Sequence, residues 1–165
     1  MRILMAGTGS GGDRNFEDTV LTQVDLKQYA GSLTADERQF LTRLHGQFAS
    51  VWGVPLPKHS GITAATNLQP CDQVWFHHGG LVHHVATVMA VFHNLDFDRA
   101  LWGDDPYPPS GFVFTLAKPQ AARIAKAEIN RLLGHETRFT WQGNLLITEE
   151  MSRRLADAVE LVLTD

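Results

Sequence analysis

The segment spanning residues 72–93, DQVWFHHGGLVHHVATVMAVFH, constrains the fold more than any other part of this chain. Two runs rich in β-branched and aromatic residues flank Gly79 and Gly80. Adjacent glycines adopt the positive φ angles that a two-residue hairpin turn needs. The pattern therefore predicts a β-hairpin, which favours a sheet that is at least partly antiparallel.

Helices are predicted before, between and after further strands. Strands are predicted at residues 2–8 and 111–117, and a second hairpin at 138–147 with its turn at QGN. Helices are predicted at 33–53, with a capping box of Thr34 and Glu37, at 120–134 after Pro119, and at 149–165 after a Thr148 cap. Because helices do not alternate regularly with single strands, this order favours one α+β domain over residues 1–165, with a curled, barrel-like mixed sheet flanked by helices.

Composition limits the class of protein. With 165 residues, of which 44% are hydrophobic and 19% charged, the chain fits one soluble globular domain. A net charge of −4 is no global signature of nucleic-acid binding, so a binder would need a local basic patch. The single Cys71 excludes an internal disulfide and fits a reducing, cytoplasmic compartment. We find no secretory leader and no apolar run of about 18 residues, and therefore expect no membrane association.

A glycine-rich segment follows the first predicted strand. Gly7, Gly9 and Gly12 match G-x-G-x-x-G, the fingerprint of dinucleotide-binding folds. That fingerprint needs a helix directly after it and an acidic residue ending a second strand about twenty residues later. The next segment begins with charge, and the region near residue 32 reads as a loop and a helix cap. A nucleotide-binding enzyme is nevertheless the alternative from a different functional class.

Four histidines flank the predicted hairpin turn: His77, His78, His83 and His84. Adjacent residues of a strand point to opposite faces, so each pair offers one imidazole to a face, and two imidazoles make a poor zinc site. The chain also lacks a nucleophile elbow, a nuclease-type spacing of carboxylates and a calcium loop. We therefore predict no metal, no cofactor and no catalytic residue.

Two turn-rich segments carry large aromatic residues. Residues 100–111, ALWGDDPYPPSG, contain Trp102 and Tyr107, and their Pro, Gly and Asp content favours an irregular surface loop. Trp52 is predicted where the first helix meets the loop VPLPKHSG, whereas Trp75 and Trp141 fall in predicted strands and fit the core. Three aromatic residues on two such segments suggest a cage for a flat base. Stacking on aromatic side chains stabilises a bound base by about 1–3 kcal/mol. A base can enter such a cage only by leaving the stack of its own strand. A protein-interaction module with an aromatic groove would instead show an exposed apolar patch without an enclosed pocket.

Several segments resemble the PUA-like group that includes the YTH and EVE domains, readers of modified bases. SVWGVPLPKHSGI resembles the YTH segment that supplies the first cage wall, and Trp52 falls on its Trp. ALWGDDPYPPSGFVFTLAKP resembles a YTH stretch with two tryptophans five residues apart, matched by Trp102 and Tyr107. LQPCDQVWFHHGGLVHHVATV and GNLLITEEMSRRLADAVELV are similar to the strand–turn–strand and closing-helix segments, and the LWG pattern to EVE-like readers attached to modification-dependent restriction endonucleases. The chain departs from the pattern at Cys71, where Gly is usual, at Tyr107, and in a longer helical insert at 33–50.

The resemblance implies recognition without catalysis. It assigns the modified base to Trp52, Gly53, Val54, Trp102, Asp104 and Tyr107. It assigns backbone phosphates to Arg14, Asn15, Lys58, His59, Lys118, Arg123 and Lys126; the last three, with Arg131, would form a basic stripe along the middle helix. The expected partner is double-stranded DNA carrying a methylated or hydroxymethylated base that flips into the cage, with a nuclease on another segment or subunit. A YTH-type reader of modified RNA is the nearest alternative.

Overall fold

The structure is a computed structural model that describes residues 1–9, 12–54, 67–104, 108–141 and 144–158. Strands and helices account for most of these residues. In chain order the elements are β1 (Ile3–Gly7), α1 (Gly12–Phe16), a π-helical turn (Glu17–Leu21), β2 (Val24–Asp25), α2 (Ala35–His45), β3 (Phe48–Gly53), β4 (Gln73–His78), β5 (Leu81–His93), α3 (Leu95–Trp102), β6 (Phe112–Leu116), β7 (Gln120–Ala125), α4 (Lys126–Leu132), β8 (Leu145–Ile147) and α5 (Glu149–Ala158).

The strands of the described residues form one mixed, eight-stranded sheet flanked by helices. Its order is β2-β3-β6-β5-β4-β1-β8, and β7 pairs with β5 beside this path. Among the described strands, β1 and β4 are the parallel pair, and the remaining pairs are antiparallel. The long strand β5 pairs with β4 in its first half and with β6 in its second. This confirms the predicted α+β class with a mixed sheet, although β2 and β8 do not pair and the described sheet is therefore not a closed barrel.

The predicted hairpin is confirmed as β4 and β5. Gly79 and Gly80 have φ angles of 57° and 83°, which side chains disfavour and glycine adopts freely. The pairing is interrupted close to the turn: Phe76 opposes His84, but His77 opposes Val82. One extra residue, His83, therefore forms a β-bulge in β5.

The first predicted helix is shorter than expected. Its capping box is confirmed, since Glu37 N donates to Thr34 Oγ1 at 3.2 Å and Thr34 N to Glu37 Oε2 at 2.8 Å. The helix ends at His45 because Gly46, with φ at 75°, caps it, and residues 48–53 form β3 between β2 and β6. The apolar periodicity that suggested a continuous helix thus belongs to two elements.

Part of the helix predicted at residues 120–134 is a strand in the structure. Residues 120–125 form β7, in which the buried Ala122 and Ile124 alternate with exposed Arg123. Helix propensity of an alanine-rich run is a weak preference, and pairing with β5 overrides it. The helical prediction is correct only from Lys126 onward, and Gly134 follows its end at φ 75°.

The predicted second hairpin is wrong in the residues that the structure describes. Residues 138–141 form no strand, and β8 pairs with β1 rather than with a preceding partner. Residues 142–143 lie outside the described part of the chain. Trp141 is nevertheless buried, as is Trp75 of β4, which confirms that both tryptophans belong to the core.

Residues 100–102 are not part of a surface loop. Asn94 caps α3 by accepting a hydrogen bond from Phe97 N at 2.8 Å, and the helix continues through Trp102 until Gly103, at φ 75°. Trp102 is therefore the last residue of a helix and is half-buried. The composition of the following residues led to the wrong assignment, because the helix ends three residues inside the turn-rich segment.

The core lies on both faces of the central strands. Leu4 of β1 packs in one apolar cluster with Phe76, whereas the neighbouring Ile3 packs in a second cluster with Trp75. This separation follows from the alternation of side chains along a strand. Among the described residues, no helix is both long and apolar enough to span a bilayer.

Candidate functional site

Trp52 is the centre of an aromatic cluster at one end of β3. Its ring centroid lies 5.4 Å from Phe76 at 87°, 6.3 Å from Phe16 at 72°, and 6.4 Å from Trp102 at 68°. Edge-to-face pairs of this kind stabilise the fold beyond the area they bury. Trp52 is 7% exposed, so its faces are already covered by these rings and by the apolar cluster around β1 and β4.

Trp102 lies against the main chain of β3 at Gly53. A Cβ on Gly53 would lie 2.7 Å from Trp102 Cζ3 and 3.1 Å from Cη2, distances shorter than van der Waals contact. Glycine at this position therefore allows the six-membered ring of the indole to approach the strand. Three residues that the resemblance assigns to one site, Trp52, Gly53 and Trp102, are thus brought into contact by two different elements.

The indole nitrogen of Trp102 has an unusual environment. Nε1 is buried and has no hydrogen-bond partner among the described residues, although the side chain as a whole is half-buried. Leaving a buried donor without an acceptor costs about 1–3 kcal/mol. By contrast, Trp75 Nε1 donates to Gln73 Oε1 at 2.9 Å and Trp141 Nε1 to Asn130 Oδ1 at 2.8 Å.

Val54 follows Gly53 and is buried with both main-chain groups engaged. Its N–H donates to Phe112 O at 3.3 Å, and its carbonyl accepts from Ser110 Oγ at 2.7 Å. A carbonyl oxygen has two lone pairs, so Val54 O retains one acceptor position. Without a rearrangement of the strand, the main chain of Val54 can therefore contact a base only through the second lone pair of its carbonyl oxygen.

Asp98 connects α3 to the same place and was missed by sequence reasoning. Its buried Oδ2 accepts from Ser110 N at 2.9 Å and from Gly111 N at 2.7 Å. Burial raises the pKa of this carboxyl, against the effect of the two backbone N–H groups. Through Ser110, whose hydroxyl donates to Val54 O, the helix carrying Trp102 is tied to the end of β3. The detectable signal was the spacing of four residues between Asp98 and Trp102, which puts them on one helix face.

Two neighbouring histidines also border the aromatic cluster. His83 and His84 have their Nδ1 atoms 2.8 Å apart, and the Phe16 ring lies 5.1 Å from each imidazole. The expectation that adjacent histidines face opposite sides is wrong here, because the bulge at His83 breaks the alternation. Burial lowers the pKa of both rings. In the described part of the chain, no group of three or more His, Cys, Asp or Glu residues is placed to hold a metal ion.

The glycine-rich segment does lead into a helix, but not in a dinucleotide-binding fold. α1 begins at Gly12, and Asp13 in its first turn lies 2.9 Å from His78 Nδ1, a contact that lowers the pKa of the carboxyl. A carboxylate at the N-terminus of a helix opposes binding of a pyrophosphate there. After α1 the chain reaches β2 at the far edge of the sheet rather than a parallel strand beside β1. The topology therefore excludes the Rossmann arrangement.

The predicted phosphate-binding residues are spread over several elements. Arg14 and Asn15 are exposed on α1, and Arg14 lies 3.6 Å from Asp18. The stripe along one helix is wrong: Lys118 precedes β7, Arg123 is exposed on β7, and Lys126 begins α4.

Further contacts distinguish these cations from one another. Lys126 Nζ lies 4.8 Å from the centre of the Trp141 ring, and Arg131 pairs with Glu128 at 2.6 Å. Among the described residues, neither Lys118 nor Arg123 pairs with a carboxylate.

The remaining predicted residues divide between described and undescribed parts of the chain. Asp104 is exposed and pairs with Arg99 at 2.9 Å. Lys58, His59 and Tyr107 lie outside the described residues.

The comparisons with known proteins place the fold. No protein-family model matches the chain, and no curated protein sequence matches it. Among solved structures, the chain is similar to the N-terminal domain of Thermococcus gammatolerans McrB, described as bound to m5C DNA. The TM-score is 0.63 at 18% sequence identity, and the match covers 95% of this chain and 96% of that domain. The likeness extends over nearly the whole of both chains, so this protein shares the α+β fold of that domain.

Proposed function

We propose that this chain binds double-stranded DNA containing a methylated or hydroxymethylated base, as the specificity domain of a modification-dependent restriction system. The observation that carries the proposal is the fold likeness over 95% of this chain to a domain described as bound to m5C DNA. The resemblance of the segments around Trp52 and Trp102 to YTH and EVE readers supports the same function. Recognition is the whole activity proposed for these residues, and cleavage belongs to another segment or subunit.

The base site in this proposal is built around Trp102. The modified base leaves the duplex and stacks on the accessible part of the Trp102 indole, near Gly53 and Val54, with Tyr107 as a further wall. Trp52, at 7% exposure, supports Trp102 from the core instead of offering an open face. Stacking on an aromatic side chain is worth about 1–3 kcal/mol per base and offsets part of the loss of stacking in the duplex.

The duplex itself is held by local cations in this proposal. A chain of net charge −4 needs such a patch, because its overall field repels DNA. Lys118, Arg123 and Lys126 lie close together in sequence around β7, and Arg14 and Asn15 are exposed on α1. Lys58 and His59 belong to the same proposed set.

The proposal is tested by fluorescence anisotropy at one fixed low salt concentration. Labelled duplexes and single strands carry unmodified cytosine, 5-methylcytosine, 5-hydroxymethylcytosine or N6-methyladenine, and matched RNA strands carry the same methylations. We expect one methylated or hydroxymethylated DNA duplex to bind at least about tenfold tighter than the unmodified duplex, the scale of one specific base contact. Equal affinities would contradict the proposal, and preference for modified RNA would favour the YTH-type alternative.

Two variants locate the site. Trp102→Ala removes the proposed stacking surface, and we expect it to abolish the preference for the modified duplex. Phe40→Ala is the matched control, because Phe40 is an exposed aromatic residue on α2 outside the Trp52 cluster. Thermal melting of both variants separates loss of binding from loss of folding. Preference retained in Trp102→Ala would remove Trp102 from the site.

A further inference from the structure

We infer that the indole N–H of Trp102 donates a hydrogen bond to the flipped base, so that Trp102 reads an acceptor on the base edge in addition to stacking. This inference rests on the proposed function. It goes beyond that function by giving the ring a polar role and by stating which chemical feature of the base is read.

The first observation is that the indole N–H of Trp102 is buried without an acceptor in the described part of the chain, whereas the indole N–H groups of Trp75 and Trp141 each have one. Trp75 and Trp141 both direct Nε1 at a side-chain amide oxygen, at 2.9 and 2.8 Å. Trp102 Nε1 is buried and has no acceptor among the described residues. Buried indole N–H groups usually have a partner, so an unpaired one adjoining a proposed ligand site indicates that the ligand supplies the acceptor.

The second observation is the orientation of the ring. The Cζ3–Cη2 edge of the indole lies against the main chain of Gly53. Nε1 belongs to the five-membered ring, across the indole from Cζ3, so the N–H edge is directed away from the β3 contact. The contact with Gly53 therefore involves the benzo edge of the ring, and the buried N–H edge lies on the opposite side.

The energetics favour such a bond. A donor exposed to water exchanges one hydrogen bond for another on binding, so its net contribution is modest. The buried Nε1 of Trp102 has no such bond to lose in the free protein, so only the base gives up a hydrogen bond when the new one forms. A base without an acceptor at this position would leave the donor unpaired in the complex, which is a strong source of discrimination.

The chemistry of the donor selects the edge of the base. An N–H group binds a carbonyl oxygen or an unprotonated ring nitrogen, and cytosine carries both on one edge, at O2 and N3. The exocyclic amino group and the C5 substituent are not acceptors for it. With 5-methylcytosine as the base, as in the DNA bound by the similar McrB domain, we assign Trp102 Nε1 to the O2/N3 edge, leaving the modification itself to other contacts.

The first test observes the donor directly in the native chain. In a ¹H–¹⁵N spectrum the indole signals are assigned by backbone-linked experiments, and a duplex with one 5-methylcytosine is added. We expect the Trp102 Hε1 signal to move downfield, because the proton gains a hydrogen bond where the described residues offer it none. The signals of Trp75 and Trp141, whose acceptors lie within the protein, serve as internal references and should stay in place.

The second test separates the N–H from the ring. Trp102→Phe keeps an aromatic face and removes the donor, and Trp102→Ala removes both. We expect Trp102→Phe to weaken binding of the 5-methylcytosine duplex by about tenfold. For the native chain, the same tenfold loss should appear with one of two analogues of 5-methylcytosine: the 3-deaza analogue if Nε1 binds N3, or the 2-thio analogue if it binds O2.

The outcomes distinguish this inference from the proposed function. A preference for the methylated duplex with an unmoved Trp102 signal, or with full affinity in Trp102→Phe, overturns the donor role and leaves the reader function standing. Absence of binding to every duplex and single strand overturns the reader function and the inference with it. A downfield shift together with the tenfold losses supports both.

Discussion

Gly53 has no side chain, and the Trp102 indole lies where a Cβ would be. The 2.7 Å distance from that position to Trp102 Cζ3 makes Gly53→Ala a steric substitution in a packed site. We expect Gly53→Ala to lower the free energy of unfolding by about 1–3 kcal/mol, as overpacking does, and to weaken binding of the modified duplex by displacing the ring. Chemical denaturation and anisotropy measure the two effects.

The control for this substitution is Gly31→Ala. A Cβ on Gly31 would meet nothing within 4 Å, so the same chemical change adds no clash. We expect it to leave DNA binding unchanged and stability nearly so. Equal behaviour of the two variants would show that the contact between Gly53 and Trp102 has no energetic weight.

His77 has a buried Nε2 without a partner among the described residues, and burial lowers its pKa to about 4, with Lys126 adding to the effect. In the unfolded chain a histidine titrates near its ordinary value of 6.5. Between these values the unfolded state binds more protons than the folded state. The contribution of His77 to stability is therefore complete above pH 6.5 and is lost as the pH falls toward 4.

The pH dependence of stability gives a direct test of that residue. We expect the melting temperature of the native chain to fall as the pH is lowered from 6.5 to 4. The melting temperature of His77→Gln should fall less steeply over the same interval, because glutamine cannot take up the proton. Thermal melts followed by circular dichroism at a series of pH values provide the measurement. Parallel curves for the two proteins would place the titrating group elsewhere, with His83 and His84 as the next candidates.

At the scale of elements, α3 depends on one buried carboxylate. Asp98 Oδ2 accepts from two consecutive backbone N–H groups, those of Ser110 and Gly111. We expect Asp98→Ala to destabilise the fold by about 2–4 kcal/mol, because both donors lose their acceptor, and to weaken modified-duplex binding as Trp102 shifts. Denaturant unfolding and anisotropy together measure these effects.

Asp98→Asn is the informative companion variant. Its side-chain oxygen retains an acceptor for both N–H groups and removes only the charge. We expect it to recover most of the stability and binding lost in Asp98→Ala. Identical losses in both variants would mean that the charge, rather than the hydrogen-bonding geometry, holds α3 against the loop.

At the scale of the whole molecule, we expect the cations around β7 to give the proposed DNA binding a salt dependence. Each phosphate neutralised by a side chain contributes about 0.9 to the slope of log affinity against log salt concentration. We expect Arg123→Ala to reduce that slope by about 1 and to weaken modified and unmodified duplexes equally. Affinities measured across a range of salt concentrations give the slope.

Arg131→Ala is the matched control for this measurement. Arg131 lies on α4 and already pairs with Glu128 at 2.6 Å, so its charge is compensated within the protein. Its removal should leave the slope unchanged. A slope reduced by Arg131→Ala but not by Arg123→Ala would move the proposed DNA-facing surface from β7 to α4.

Signals confined to a few neighbouring residues were sufficient for part of the fold. The Gly79–Gly80 turn, the capping box of Thr34 and Glu37, and the buried first strand are local patterns, and each was predicted correctly. The α+β class followed from their order. These features depend on backbone conformations and short-range hydrogen bonds that the residues themselves impose.

The errors occurred where distant partners decide the structure. Residues 120–125 are rich in alanine and suggest a helix, but β5 offers them a free edge and they pair with it as β7. Residues 48–53 continue an apolar helical pattern, yet lie between β2 and β6 as a buried strand. Preference for helix amounts to tenths of a kcal/mol per residue, which pairing and burial in a sheet exceed.

By itself the sequence determined which residues are proposed to recognise a base: Trp52, Gly53 and Trp102, in segments that resemble base readers. Only the tertiary structure decided how they act together. It buries Trp52, ends α3 at Trp102, brings that ring onto Gly53, and ties both to Asp98 through Ser110. The physical reason is that contacts between residues some fifty positions apart are set by strand pairing and packing of the whole chain, which no short window of sequence contains.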